Sequence, residues 1–260
     1  MRKLAVALAL VLLSAIPAIA AENQFVGTWK LDLAKSNFVG DTFTYTQLQN
    51  GMMHFSDGSA VNADFGLDGK DYPDPFGQTI SWKSAGDNVW NTVSKMNGKV
   101  LSEGHVELSD GGNTLTIKDH GTKPDGSSFN DETVYKRVGA GSGLAGKWRS
   151  TKVNISAPNT YVVSAPSAGA VRWEIPEYKE VVEGKTDGSD LPLSGPTAPK
   201  GLTLSIKMMG PKKLEYSVKL NGKTIAMATQ TLSADGKTIT ETSWSPGKES
   251  EKQTAVYTKQ

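Results

Sequence analysis

The stretch Gly27-Thr28-Trp29-Lys30 returns later in the chain as Gly146-Lys147-Trp148-Arg149. Other short sequences return in the same order, namely Asn97-Gly98-Lys99 as Asn221-Gly222-Lys223 and Val134-Tyr135 as Val256-Tyr257. Residues 78–122 of the first half align without a gap to the second half. This alignment places Trp82 opposite Ile206 and Ile117 opposite Glu241. Matches that keep their order over a long segment indicate an internal repeat.

The repeat predicts two domains of similar length. We assign the first domain to residues 24–138 and the second to residues 144–260, with a glycine-rich linker at 139–143. The linker sequence Gly-Ala-Gly-Ser-Gly is typical of a flexible joint. Each half is long enough to form its own hydrophobic core.

Both halves have the pattern of antiparallel β-strands. Residues 213–220 alternate between polar and apolar side chains, as in a strand with one buried face. Asn97-Gly98 and Asn221-Gly222 follow such runs, and Asn-Gly favours a two-residue hairpin because both positions tolerate positive φ. No sustained helical periodicity is present after residue 20. Hairpins in sequence order favour an up-and-down barrel, since closure removes the exposed edges of an open sheet.

Residues 1–20 have the pattern of a cleaved signal peptide. Arg2 and Lys3 precede an apolar run that is short for a membrane span, and Ala18-Ile19-Ala20 fits the small-residue cleavage pattern. We therefore expect a mature chain that starts at Ala21 and lies in a bacterial periplasm or in the medium. No integral membrane span is expected after cleavage.

The composition excludes several classes of site. The chain has no Cys and 3 His, so thiolate metal sites, disulfides and cysteine nucleophiles are excluded. Its 28 Lys+Arg and 27 Asp+Glu give a formal net charge of +1, which argues against a nucleic-acid partner. No phosphate loop, dinucleotide fingerprint or metalloprotease motif is present. We expect no cofactor and no bound metal.

The two Gly-x-Trp motifs, with basic residues near the end of each half, resemble the calycin superfamily of lipocalins and fatty-acid-binding proteins. Residues 25–38, the sequence Asp68-Gly69-Lys70-Asp71-Tyr72-Pro73 and Val134-Tyr135 resemble small exported lipocalin-like domains of soil bacteria. This resemblance implies an all-β protein of two tandem, antiparallel, up-and-down lipocalin-like barrels. In that superfamily, barrel cavities often hold apolar small molecules.

The same resemblance implies a structural role for six residues that close the barrel bases. In that arrangement a basic residue of the last strand packs on the indole of the first strand. Arg137 would pack on Trp29, at about 0.5–2 kcal/mol for such a cation–π contact, and Lys259 would have this role in the second half. The six residues are Gly27, Trp29, Arg137, Gly146, Trp148 and Lys259.

Strand alternation and the repeat also predict which side chains point into the barrels. Glu241 is anomalous, because it aligns with Ile117 and a buried carboxylate costs several kcal/mol unless it is paired. Two interpretations stay open: Glu241 faces a wet cavity as a polar ligand contact, or a register slip or bulge turns it outward. The candidate cavity residues are Trp82, Trp90, Met96, Tyr216 and Glu241.

Three further groups of polar residues were considered as sites, and a solvated surface is the favoured interpretation for each. His105, Glu107 and His120 have the chemistry of a zinc site or a general base. The clustered Asp64, Asp68, Asp71 and Asp74 have oxygen ligands suited to calcium. A basic run could attract anionic headgroups or polysaccharide; it comprises Lys207, Lys212, Lys213, Lys219 and Lys223, interspersed with Met208, Met209 and Tyr216.

The sequence leaves three functional hypotheses. The leading one is an exported protein that binds a small apolar or amphipathic molecule in a barrel cavity. The second is an envelope structural or interaction protein with filled barrels and no small ligand. The third is an enzyme that uses carboxylates or the face of His105, Glu107 and His120.

Overall fold

A computed structural model describes residues 23–157 and 159–260. The predicted signal peptide, residues 1–20, lies outside the described residues. The described chain is built of β-strands, with two short 3₁₀ turns at Leu33–Lys35 and Asp110–Gly112 and no α-helix. The prediction of an all-β fold is therefore confirmed.

Twenty strands follow one another along the part of the chain that the structure describes. The first eleven are β1 Gly27–Leu31, β2 Thr42–Gln47, β3 Met53–Ser56, β4 Asn62–Phe65, β5 Tyr72–Pro73, β6 Thr79–Gly86, β7 Val89–Met96, β8 Lys99–Ser109, β9 Thr114–Thr122, β10 Ser128–Ser142 and β11 Ala145–Asn154. The remaining nine are β12 Thr160–Ser164, β13 Ala170–Ile175, β14 Glu180–Lys185, β15 Asp187–Pro192, β16 Leu202–Gly210, β17 Lys213–Leu220, β18 Lys223–Leu232, β19 Thr238–Trp244 and β20 Gln253–Lys259.

The strands form two antiparallel, nearly closed, barrel-like sheets of ten strands each. The sheet called here the first barrel has the order β4-β3-β2-β11-β10-β9-β8-β7-β6-β5. The second barrel has the order β14-β13-β12-β1-β20-β19-β18-β17-β16-β15. Its two edge strands meet through backbone hydrogen bonds exchanged by Val181 and Ser194.

The two Gly-x-Trp strands lie in the opposite barrels from those that the predicted domain boundaries imply. Strand β1 pairs with β12 and β20, so Trp29 lies in the second barrel. Strand β11 pairs with β10 and β2, so Trp148 lies in the first barrel. The first barrel is thus one continuous segment from β2 to β11, whereas the second consists of β1 and the strands from β12 onward.

Because β1 and β11 lie in exchanged barrels, residues 139–143 do not have the predicted role of a linker between two domains. Strand β10 runs to Ser142 and turns directly into β11, which begins at Ala145. The Arg137 guanidinium donates hydrogen bonds to the backbone oxygens of Gly143 at 2.6 Å and Ala145 at 2.7 Å. The glycine-rich segment is therefore the turn of a hairpin within the first barrel, because the next strand pairs with the one before it.

The expected contact of Arg137 with Trp29 is corrected by the same exchange. Arg137 lies 4.2 Å from the ring centroid of Trp148, and Lys259 lies 5.3 Å from the ring of Trp29. A Cβ on Gly146 would collide with the Arg137 guanidinium, and one on Gly27 would collide with the Lys259 side chain. Glycine is favoured at both positions because φ is +146° at Gly27 and +148° at Gly146, and because a side chain there would displace the cation from its indole.

Both indoles are fully buried and fixed at a second point. Trp29 Nε1 donates to the Phe25 carbonyl at 2.8 Å, and Trp148 Nε1 donates to the Leu144 carbonyl at 2.9 Å. Trp29 and Trp148 lie in separate hydrophobic cores, one for each barrel. Each core therefore includes a tryptophan that comes from the other half of the chain.

We predict that the two tryptophans stabilise different segments. Trp29→Ala removes a fully buried indole from the second barrel, at a cost of about 3–5 kcal/mol, and should accelerate amide hydrogen exchange within residues 160–259. Trp148→Ala is the matched control and should accelerate exchange within residues 42–154. Faster exchange of 42–122 in Trp29→Ala, with 160–259 unchanged, would contradict the exchanged topology.

Candidate functional site

The second barrel contains a cavity of about 260 Å³, close to the lower end of the range for small-molecule sites. Its walls are predominantly apolar, and they come from strands all around the barrel. The aliphatic side chains are Ile175, Val182, Leu193, Leu202, Leu204 and Val218, and the aromatic ones are Tyr161, Trp173, Tyr216 and Tyr257. Such a wall favours an apolar ligand, because burial releases its surface from water.

Two neighbouring polar side chains interrupt this wall. Gln230 on β18 and Glu241 on β19 are register partners, and both side chains are buried. Gln230 Nε2 donates a hydrogen bond of 2.7 Å to Glu241 Oε2. The structure thus places Glu241 in the cavity wall with its strand in regular register, and no bulge turns it outward. We call Glu241, Gln230, Tyr161 and Trp173 the polar floor of the cavity.

Burial controls the protonation of the floor. Removal from water raises the pKa of Glu241 above its ordinary value, although hydrogen bonds from Gln230 and Tyr216 partly oppose this shift. Burial also raises the pKa of Tyr161 and of Tyr216 well above the ordinary value, with the nearby Glu241 carboxyl adding to the effect. The tyrosines are therefore neutral hydroxyls, and the Glu241 carboxyl holds its proton to a higher pH than an exposed glutamate does.

Trp173 Nε1 has no hydrogen-bond partner within residues 23–157 and 159–260. The Tyr161 hydroxyl and Gln230 Oε1 have no hydrogen bond of normal geometry within the same residues, although an interaction with Gln230 partly lowers the pKa of Tyr161. The rings of Tyr161 and Trp173 lie 6.1 Å apart, and Trp173 packs edge-on against Tyr216 at 5.6 Å. The unpaired atoms therefore belong to one continuous group of side chains, and all three residues line the cavity.

The first barrel has no such floor at the corresponding strands. There β8 and β9 place Val106 opposite Ile117, where β18 and β19 place Gln230 opposite Glu241. Aromatic rings fill this interior with centroid separations of 4.9–6.0 Å; they are Phe43, Tyr45, Phe55, Phe65, Trp82 and Tyr135. The same strand order therefore packs one barrel with rings and leaves a cavity in the other.

The predicted cavity residues are divided between the two barrels. Tyr216 and Glu241 line the cavity of the second barrel. Trp82 and Met96 are buried in the first barrel, and Trp90 packs against its core. Trp82 is in contact with Phe65 at a centroid distance of 5.1 Å, so it fills space in a core and does not line the cavity.

The cavity opens toward the first barrel. Ile175, Glu180, Leu193 and Leu202 line both the cavity and a groove of about 490 Å³ that includes first-barrel residues. Burial raises the pKa of Glu180, and Thr197 donates a hydrogen bond of 3.0 Å to its carboxylate. First-barrel side chains in the groove include Phe76, Leu101, Lys123 and Phe129. The groove and the cavity therefore share a wall.

One buried lysine holds the two barrels together beside this groove. Lys123 Nζ donates to the Ala157 carbonyl and to Asn159 Oδ1, both at 2.7 Å, and it lies 5.6 Å from the Tyr178 ring centroid. The backbone N–H of Asp125 also donates to the Glu177 carbonyl at 3.0 Å. These contacts fix the first-barrel loop that follows β9 against the side of the second barrel.

The other polar candidates are distributed over separate contacts. His120 lies 3.4 Å from Glu103, whereas His105 contacts Asn91, so the two histidines have different partners. Asp64, Asp68 and Asp71 pair with His54, Lys70 and Lys95, respectively. Within residues 23–157 and 159–260, no group of three or more His, Asp or Glu side chains is placed to hold a metal ion.

The basic run of the second half is also partly neutralised. Lys219 pairs with Asp190 at 2.6 Å, and Lys213 lies 3.4 Å from Glu215. Lys212 donates to the Ala234 carbonyl at 2.7 Å. Tyr216, which lies within the same run of sequence, points into the cavity. These lysines thus lie on the outer surface, away from the residues that form the polar floor.

Sequence reasoning missed Tyr161, Trp173 and Gln230. Tyr161 and Trp173 lie outside the segment that aligns without a gap, where the repeat gives no guidance. Gln230 does lie within it, opposite Val106, and a polar residue opposite an apolar one is the same signal that singled out Glu241. Gln230 and Glu241 can be recognised as neighbouring side chains only once the register of β18 and β19 is known.

Comparison of the chain with protein-family models, curated proteins and solved structures finds no match. Within the described part of the chain, no helix has both the length and the apolar composition needed to cross a membrane.

We predict that Glu241 makes stability fall as the pH rises. In the unfolded chain its carboxyl ionises near the ordinary value, whereas in the folded protein it stays protonated to a higher pH. Between these two pKa values the folded state binds more protons, so the free energy of unfolding decreases with pH. Glu241→Gln removes this dependence, and its stability advantage over wild type should be absent at pH 4 and grow toward pH 7.

The measurement is urea unfolding of both proteins at several pH values. The difference between them isolates Glu241, because the pKa values of Asp119 and Glu180 are also raised by burial in both proteins. A stability difference that stays constant from pH 4 to pH 7 would contradict the proposed burial of the Glu241 carboxyl.

Proposed function

We propose that this protein binds a small apolar or amphipathic molecule in the cavity of the second barrel. The observation that carries this proposal is the apolar cavity of about 260 Å³ whose wall contains buried, unpaired polar atoms. An interior built only for stability would be filled, as the first barrel is, because empty apolar volume is destabilising.

The driving force is burial of apolar ligand surface, about 25 cal/mol per Å² before the costs of association. The aliphatic wall supplies this term and the polar floor orients one end of the ligand. The sequence pattern indicated Glu241 of this floor and Tyr216 of the cavity wall.

The first barrel contributes a wall to the entrance. Its interior is packed with aromatic rings, so its role is to position side chains such as Phe76, Leu101 and Phe129 along the groove. The Lys123 contacts hold it there. The ligand site is thus proposed to depend on both barrels, although the cavity itself belongs to the second.

The proposal extends to the origin and location of the protein. The two Gly-x-Trp strands, each with a cationic side chain packed on its indole, support a tandem repeat of lipocalin-like domains within the calycin superfamily. The pattern of residues 1–20 supports export to a bacterial periplasm or the medium. An exported protein with an apolar cavity is suited to carry or store a molecule that is poorly soluble in water.

We predict that filling the cavity abolishes binding. Leu204 lines the cavity, and Leu204→Trp should reduce the affinity for 2-naphthol, an amphipathic fluorescent probe, by about tenfold or more, because the larger side chain takes the space of the ligand. The measurement is fluorescence titration of the probe with folded protein.

The matched control is Lys207→Trp, which adds the same side chain to the same strand at an exposed position. Its affinity for 2-naphthol should equal that of wild type. Equal affinities in wild type and both variants would place the bound probe outside the cavity and overturn the proposed function, and so would the absence of any binding to wild type.

A further inference from the structure

The polar floor leaves hydrogen-bonding capacity that the protein itself does not use. Trp173 Nε1 is a donor, Gln230 Oε1 is an acceptor and the Tyr161 hydroxyl can act as either. A buried polar group without a partner is destabilising because it has given up its hydrogen bonds to water, so such groups are rare in folded proteins. Three of them in one cavity wall indicate that a bound molecule completes their hydrogen bonds.

The fold does not require these polar groups. The first barrel closes with the same strand order, and it has Val106 and Ile117 where the second has Gln230 and Glu241. Replacing a buried polar pair with apolar side chains of similar size is often neutral or stabilising. The Gln230–Glu241 pair is therefore placed in the cavity at a cost to stability, which a role in ligand recognition explains.

The charge of the cavity restricts what the floor can hold. None of the thirteen described residues that line it is Lys, Arg or His, so an anionic group would be buried without a counter-ion. The lining includes two carboxyls, Glu180 and Glu241, and burial raises the pKa of both, which favours their neutral form over the carboxylate that would pair with a cation. A cationic ammonium group has only donors, so it would leave Trp173 Nε1 unpaired. A neutral group with both a donor and an acceptor satisfies the floor without burying a charge.

We infer that the ligand of the second barrel carries a neutral polar head, such as a hydroxyl or a carboxamide, which accepts a hydrogen bond from Trp173 and donates one to Gln230. This inference rests on the proposed function, and it adds the chemical class of the ligand head. The apolar part of the molecule then lies against the aliphatic wall and points toward the groove.

The test is a calorimetric titration of the full protein with four probes that share one chain length: octanol, octylamine, octanoate and octane. Octanol should bind at least about tenfold more tightly than each of the other three at pH 7.5. Only its hydroxyl head can form hydrogen bonds with the polar floor without burying a charge. Octanoate or octylamine binding as tightly as octanol would overturn the inference.

Two variants separate head recognition from chain binding. The double variant Gln230→Val with Glu241→Ile copies the first barrel and should lose most of the preference for octanol over octane, because Gln230 can no longer accept a hydrogen bond from the hydroxyl head. Lys207→Trp changes an exposed residue of β16 outside the cavity and should retain the preference for octanol. Thermal unfolding of both variants checks that they fold, and the comparison of the four probes on wild type keeps the test valid where the double variant does not fold.

The outcomes also distinguish this inference from the proposed function. Equal wild-type affinity for octanol and octane would overturn the inference alone, because chain binding would persist without head recognition. In that case water molecules would be the hydrogen-bond partners of the unpaired floor atoms. Absence of binding by all four probes would overturn both proposals.

Discussion

The arrangement of both barrels depends on one constraint, the burial of each Gly-x-Trp indole in the barrel of the other half. Trp29 is buried where β12 and β20 flank its strand, and Trp148 where β2 and β10 flank its strand. A cationic side chain packs on each indole, and it reaches the ring by passing over the glycine of the Gly-x-Trp motif. This pairing fixes the position of β1, the register of its neighbours and the tight turn that the sequence pattern presents as a linker.

The two barrels show how few side chains decide between a filled and a hollow interior. On corresponding strands β6 and β16, Trp82 occupies the place that Ile206 takes in the second barrel. On the next strands the apolar pair Val106 and Ile117 is replaced by Gln230 and Glu241. The register of these strands is the same in the two barrels, so the polar pair in the cavity wall is a difference of side chains on a shared strand arrangement.

Local patterns predicted the strands and the hairpins, because alternation and Asn-Gly turns act over a few residues. The repeat alignment gave an inward Glu241 as one of two open interpretations. The exchange of β1 and β11 was not predictable from these patterns, since both barrels offer a Gly-x-Trp strand the same partners by sequence. Which barrel each Gly-x-Trp strand joins depends on the path that the segment after β1 takes between the barrels. Tyr161 and Trp173 were missed for a related reason: their strands lie where the halves do not align.

The position of β1 has a consequence for the order in which the chain folds. The first barrel is a continuous segment, so it can close as soon as β11 is available. The second barrel needs β1 from the start of the described chain and β20 from its end. Phe25 and Trp29 therefore remain without their final partners until nearly the whole chain is present, and loops of that length close slowly. During this interval the exposed strand is the part of the molecule most prone to pair with another chain, and rapid closure of the first barrel limits how far β1 can move away.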